Sequence, residues 1–280
     1  MSKGKGKMKN AMMTICLLMV ALISLNSQTM AWVQYNDGGT HDITTTINDD
    51  VWIDWEMPGM GTTVNVINGA NISNPYEMRT YNDSVLNISG GLIDLSTNDR
   101  SQVMVSGGTI WDSHFYDSSH IEISDGTLFS HTLVEDNTDI IITGGTLSQG
   151  ITLRHDSQGT MLGGRVEGDM FLQNNSQYEL LGGTFELGKL LILSDNSILR
   201  VIGSDFAIDG VSIGDGIISS VTGTQSWNEP YRRLTGTLQN GDIIDNRFQI
   251  GNTAQIVIVP EPTTIVLLLG ALPFVRRKKK

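Results

Sequence analysis

Residues 85–94 read VLNISGGLID, residues 103–112 VMVSGGTIWD, residues 121–130 IEISDGTLFS and residues 140–149 IIITGGTLSQ. Each has alternating apolar residues, a polar step, two turn-forming residues and a second apolar patch. The series continues as TMLGGRVEG (160–168), YELLGGTFEL (178–187) and LRVIGSDFAI (199–208). The turn pairs begin at Gly90, Gly107, Asp125, Gly144, Gly163, Gly182 and Gly203, with spacings of 17, 18, 19, 19, 19 and 21 residues. A hydroxyl residue, usually after Asp or Asn, recurs in step at Ser84, Ser101, Ser118, Thr138, Ser157, Ser176 and Ser197. Two markers in phase over seven units define a repeat.

Three apolar patches fall in each unit. One precedes the glycines (Ile121 and Ile123; Ile140 and Ile142). One follows them (Ile110, Leu128, Leu147, Val166, Phe185). A third precedes the hydroxyl marker (Ile151 and Leu153; Met170 and Leu172; Leu191 and Leu193). Period-two alternation is a strand signal. Gly-Gly and Asp-Gly read as turns because glycine accepts positive φ. The Asp/Asn-Ser pairs read as a second corner, their side chains bonding their own backbone. Three strands in ~19 residues bury nothing alone but form a core when coils stack ~4.8 Å apart. The expected fold is all-β, a parallel β-helix of about seven coils over Tyr81–Ile208, capped at both ends. Residues 32–80, with Trp32, Trp52 and Trp55, are expected to form an N-terminal cap or degenerate coils, and residues 209–258 a C-terminal β cap. Asn240-Gly241 is expected to turn a hairpin in that cap.

The ends differ from the body. Lys3, Lys5, Lys7 and Lys9 precede the apolar run Ala11–Leu25, and Thr29-Met30-Ala31 supplies small residues for cleavage. This predicts a signal peptide over residues 1–31, cut after Ala31 by signal peptidase. Cys16, the only cysteine, lies in that run, so the mature chain is expected to lack disulfides and thiolate chemistry. Residues 32–275 keep nine basic against thirty acidic side chains, a net of −21. Such a body repels phosphate backbones and argues against nucleic acid as a partner.

At the other end, Pro260-Glu261-Pro262 leads into the apolar Thr263–Val275 and then Arg276, Arg277, Lys278, Lys279 and Lys280. A basic stop of this kind holds a tail on the cytoplasmic side. This segment, residues 259–280, resembles the PEP-CTERM sorting signal. The resemblance implies an exosortase-type enzyme as partner, a short transmembrane segment, and delivery to the cell surface or extracellular matrix. The apolar stretch spans only ~20 Å as a helix, and snorkelling of Arg276 and Arg277 shortens its gap to the ~30 Å hydrocarbon core.

For chemistry, the nearest constellation is Asp112, His114, Asp117, His120 and His131 across successive coils. Imidazole and carboxylate together suit a metal or acid–base chemistry. The three histidines sit at different phases of the repeat, however, and regular coils offer no long loop to wall a cleft. No catalytic residue, metal ligand or cofactor is therefore assigned. Calcium is weighed at the corners Asn82-Asp83, Asp136-Asn137, Asn174-Asn175 and Asp195-Asn196, where oxygen ligands cluster, but turn formation accounts for these residues. The reading is an exported structural or adhesive surface protein that displays a hydrogen-bonding face, with exopolysaccharide as a candidate partner. The alternative is a secreted carbohydrate-active enzyme, a lyase or glycosidase, on the same scaffold.

Overall fold

A computed structural model describes residues 32–56, 58–219 and 231–261. The expected signal peptide with its cleavage residue Ala31 lies outside the described residues, as do Pro262, the apolar tail and Arg276 to Lys280. The chain divides into a short unit, Met1–Val33, and a body that begins at Gln34; the body is the subject below.

The body is all-β, a β-solenoid of about nine turns. Its first face carries the strands that precede the glycines. The parallel register runs unbroken from Thr40 through Thr63, Val85, Gln102, His120, Asp139, Gln158, Gln177 and Ile198 to Gln255. On the second face Ile72, Ile93, Ile110, Leu128, Leu147, Val166 and Phe185 stack in order. The third face stacks Val51, Met78, Leu95 and Ser113, and continues from Thr132 through Ile151, Met170 and Leu191 to Phe248. Side chains alternate across each strand, so two columns from each of the first and third faces and one from the second point inward. Leu86, Ile88, Ile93, Ile121, Ile142, Leu153 and Leu193 are among the residues of that continuous core.

Residues 40–80 stack in the same register ahead of the expected seven coils, in keeping with the degenerate coils that are one of the two expectations for residues 32–80. Two features hide those coils in the sequence. Asn68-Gly69 replaces the glycine doublet, with Gly69 at φ +97°. The turn before Met78 also holds extra residues, Ser73 to Glu77.

The first corner, between the first and second faces, is built on positive-φ glycines. Gly91, Gly108, Gly126, Gly145, Gly164 and Gly183 have φ between +78° and +98°. The second corner joins the third face back to the first. There the left-handed residues are Asn82, Asp99, Asp117, Asp136, His155, Asn174 and Asp195, with φ from +55° to +63°. Their side chains bond the neighbouring coil, while the expected bonding to the turn's own backbone is made by the hydroxyls, as from Ser197 Oγ to Ser194 O at 2.8 Å. Asn82 N–H donates to Asp99 Oδ2 at 3.1 Å and Asp99 N–H to Asp117 Oδ2 at 2.9 Å. The ladder continues from His155 N–H to Asn174 Oδ1 at 3.2 Å and from Asn174 N–H to Asp195 Oδ2 at 3.1 Å. Each side chain thus satisfies a backbone donor that the tight turn leaves free.

The hydroxyl marker forms a buried column inside that corner: Ser84, Ser101, Ser119, Thr138, Ser157, Ser176 and Ser197. Ser119, not Ser118, holds the third place. Its hydroxyl donates to Tyr116 O at 2.9 Å and meets Thr138 Oγ1 at 3.3 Å.

At the C-terminal end, Arg232–Leu238 and Ile243–Ile250 form an antiparallel hairpin about Asn240-Gly241, with Gly241 at φ +93°. Gln255–Pro260 then adds in parallel to Ile198–Gly203, and Gly216–Ser219 pairs antiparallel on its other side. These strands close edges that a bare solenoid leaves open.

One inward column carries a volume exchange. Gly159 and Tyr178 are neighbours on the first face, and a Cβ at Gly159 would meet Cδ2 and Cε2 of the buried Tyr178 ring. Gly159→Ala should therefore cost about 1–3 kcal/mol by overpacking. In thermal melts the double variant Gly159→Ala/Tyr178→Leu should lose clearly less than the two single losses added together. Additive losses would contradict this packing.

Candidate functional site

Coil irregularity is concentrated where the second face turns into the third. The extra residues of one turn, Asn74, Pro75, Tyr76 and Glu77, wall a hollow of about 350 Å3 floored by Asp94 and Leu95. A second hollow, of about 410 Å3, runs on toward His131, Thr152 and Arg154. Asp112 and His114 line both, so the two form one groove across successive coils.

Parallel register assembles the groove. His114 stands beside Ser96 on one side and Leu133 on the other, and Arg79 lies one coil beyond Ser96. Asp94 is only 9% exposed. Its Oδ2 accepts the Asn74 N–H at 2.8 Å, the Asp112 backbone N–H also favours the charged carboxylate, and Oδ1 is shielded from solvent. Desolvation raises the Asp94 carboxyl above the ordinary value, and the charges of Asp112 and Glu77 push the same way. Glu77 is held by Arg79, whose Nε donates to Oε2 at 2.8 Å, and the Glu77 N–H donates to Asp50 Oδ1 at 3.0 Å. His114 Nε2 lies 3.6 Å from Asp112 Oδ1. His131 is fixed by Gln149 O at 2.9 Å and Thr152 Oγ1 at 2.6 Å. Burial also raises the Tyr116 phenol at the groove's flank, with the carboxylate of Glu135 adding to it.

One residue before Asp112 in the chain, Trp111 points outward. Its ring stacks on Phe129 of the next coil, with centroids 4.3 Å apart and planes 13° from parallel. The two rings are 44% and 40% exposed.

Of the sequence constellation, the fold brings together Asp112, His114 and His131. Asp117 stands in the left-handed corner ladder, and His120 lies on the first face between Asp139 (3.1 Å) and Glu122 (3.2 Å). Asp94 and Glu77 were not singled out from the sequence. The lengthened turn around Asn74-Pro75 was the available signal, since an insertion in a solenoid marks where a wall can rise.

The corners weighed for calcium spend their oxygens within the protein. Asp83 pairs with Arg100 at 2.8 Å, Asn175 Nδ2 donates to Asp156 Oδ1 at 3.0 Å, and Asn196 Nδ2 to Asn175 Oδ1 at 3.2 Å. Among the described residues no group of three or more His, Cys, Asp or Glu side chains is arranged to hold a metal ion.

Comparison with protein families, with characterised proteins and with solved structures finds no match to this chain.

The raised Asp94 carboxyl has a consequence for stability. The folded state holds this proton more tightly than the unfolded chain, so its contribution is full at low pH. It is lost as the pH climbs from the ordinary value of 3.8 through the raised one. Asp94→Asn removes that loss. The variant should melt above the parent at pH 7, and the difference should shrink as the pH falls below 3.8. A difference that does not change with pH would contradict the assignment.

Proposed function

We propose that this chain is an exported structural or adhesive protein of the cell surface or extracellular matrix, sorted through Pro260, Glu261 and Pro262 and meeting polysaccharide along its solenoid. The observation that carries this reading is the stacked, outward hydrogen-bonding surface. On the first face Asn65 Nδ2 donates to Asp42 Oδ1 at 2.7 Å and Asn87 Nδ2 to Asn65 Oδ1 at 2.8 Å. Gln102, Gln158 and Gln177 point the same way in further coils. Repeating donors and acceptors at coil spacing suit an extended ligand with repeating hydroxyls.

The sorting motif supports the same reading by its place. Val259 and Pro260 pair with Ile202 and Gly203, and the Glu261 N–H donates to Gly203 O at 3.2 Å. The motif therefore starts on the last strand with no linker, and a tail held at the envelope would set the body close to the surface. No helix among the described residues is long and apolar enough to cross a membrane. Signal peptidase and an exosortase-type enzyme are the processing partners in this reading.

A second reading, a carbohydrate-active enzyme, is favoured by the carboxylates of the groove. The buried Asp94 and the exposed Asp112 stand beside each other on successive coils, and hydrolysis of glycosides uses two carboxylates. Release of reducing ends from a polysaccharide would carry it.

The sorting reading is tested by fractionating cells that express the full chain or a version ending at Val259, with intact mass of the product. The full chain should be found in the envelope or matrix fraction without Arg276–Lys280, and the truncated chain in the medium. Identical soluble behaviour of both would remove the sorting reading.

A further inference from the structure

The most exposed apolar side chains gather at one end of the body. Leu187 (76%), Val211 (69%), Ile217 (65%) and Ile243 (61%) belong to the last regular coil and the cap that closes it. The other exposed large apolar side chains among the described residues lie between 40% and 44%. Single exposed apolar residues are ordinary, but a concentration of them marks a contact surface. Val211 and Ile217 stand on the outermost strands. Gly216–Ser219 pairs antiparallel with Gln255–Pro260, Ile217 facing Val257, and Val211 faces Ile208 on the strand that runs on past Gly203. Natural sheet edges are commonly guarded by charge, proline or a bulge. This one carries Val and Ile among Gly210, Gly214 and Gly216, where an added Cβ would meet nothing within 4 Å. The chain leaves the body beside the same edge. Val257, the partner of Ile217, precedes Pro260 by three residues, about 10 Å along a strand. Beyond Glu261 the sequence runs into the apolar Thr263–Val275 and five basic residues. As a helix, that apolar run is ~10 Å shorter than the hydrocarbon core. An apolar surface at the interface sinks about 5–10 Å into the boundary of headgroups and acyl chains, so the depth gained matches the deficit.

We infer that the edge formed by Val211–Ser212 and Gly216–Ser219 docks on the lipid bilayer that holds the tail, with Val211 and Ile217 seated in the boundary between headgroups and acyl chains. At that depth water still reaches the open N–H and C=O groups of the edge, which the hydrocarbon core would leave unsatisfied. The lipid it takes is zwitterionic. Asp205, Asp215 and Glu261 are exposed around the edge, and the nearby Arg232 is spent on Asp209 at 2.7 Å. Nothing in this set resembles the basic cluster that draws anionic headgroups. Docked in this way, the solenoid stands with its closing cap on the membrane and its first coil outermost, and its three faces stay open to the surroundings. The inference rests on the sorting reading, which supplies the tail, and deepens it by naming the end of the body that meets lipid.

The test places an environment-sensitive fluorophore on single thiols of the full-length chain in phosphatidylcholine vesicles, with and without lipid carrying a doxyl quencher in its acyl chain. Cys16→Ser removes the native thiol, and Val211→Cys, Ile217→Cys and Met104→Cys supply one labelling site each. All three positions are exposed, and an unchanged thermal midpoint confirms each variant's fold. The labels at 211 and 217 should shift to the blue and lose intensity to the doxyl lipid. The label at 104, on the first face, should do neither. Adding Ile217→Asp should abolish the shift of the label at 211. Chains that float with the vesicles while the labels at 211 and 217 behave like that at 104 overturn the inference and leave the sorting reading standing. A blue shift without quenching by lipid assigns the edge to a second copy of the chain and overturns it too. A chain that does not float with the vesicles also overturns it, and the cell fractionation then decides whether the sorting reading falls with it.

Discussion

The structure depends on how closely successive backbones approach at the glycine corner. A Cβ at Gly108 would lie 2.7 Å from the backbone of Gly90, one at Gly126 3.0 Å from Gly108 O, one at Gly145 2.9 Å from Gly126 O and one at Gly164 2.8 Å from Gly144 O. A side chain at these positions would press on the backbone of the preceding coil. The corner accordingly sets the stacking distance and the register of each coil on the next. Because side chains alternate with a period of two, a slip of one residue would turn every inward residue outward. The glycine column therefore protects the apolar columns of Ile, Leu and Val on all three faces. The opposite corner solves the same problem with different chemistry. Asp and Asn accept a left-handed backbone more readily than most residues, and they use their carboxylate or amide to tie one coil to the next.

Much of this was legible in the sequence because the repeat is written in residue types with strong backbone meaning. The glycine doublets and the alternation around them marked three strands per coil, and Asn240-Gly241 marked the closing hairpin. What escaped had physical reasons. The coils before Tyr81 use a single glycine, Gly69, and carry the insertion at Ser73–Glu77, so their period is broken although their register is not. Ser118 and Ser119 are adjacent hydroxyls, and only burial decides which of them belongs to the column. The ladder at the second corner runs between coils, and a linear sequence read locally assigns such side chains to their own turn.

The groove was half legible. His114 and His131 differ in phase relative to the markers, yet both border one groove because it straddles a corner, where phase no longer tells which way a side chain points. His120, on a straight strand, obeyed the phase argument and lies elsewhere. Asp94 and Glu77 gained significance only from parallel stacking, which sets Met78 beside Leu95 and so brings their chain neighbours to one corner. Within a regular solenoid the departure from regularity is where a hollow can form. Here it coincides with Asp94, a carboxylate only 9% exposed.

The central claim, that close backbone approach at the glycine corner specifies the solenoid, is tested most directly by comparing two glycine-to-alanine variants. Gly144 has no positive φ, but its Cβ would collide with Ser124 O. Gly188 has φ +86° with nothing within 4 Å of its Cβ. Gly188→Ala therefore carries only the left-handed backbone cost of about 1–2 kcal/mol, and Gly144→Ala only the collision. Urea denaturation of the two should show the larger loss of stability, by a clear margin, in Gly144→Ala. Equal losses, or a larger loss in Gly188→Ala, would mean that these glycines serve turn conformation alone and that the stacking is set elsewhere.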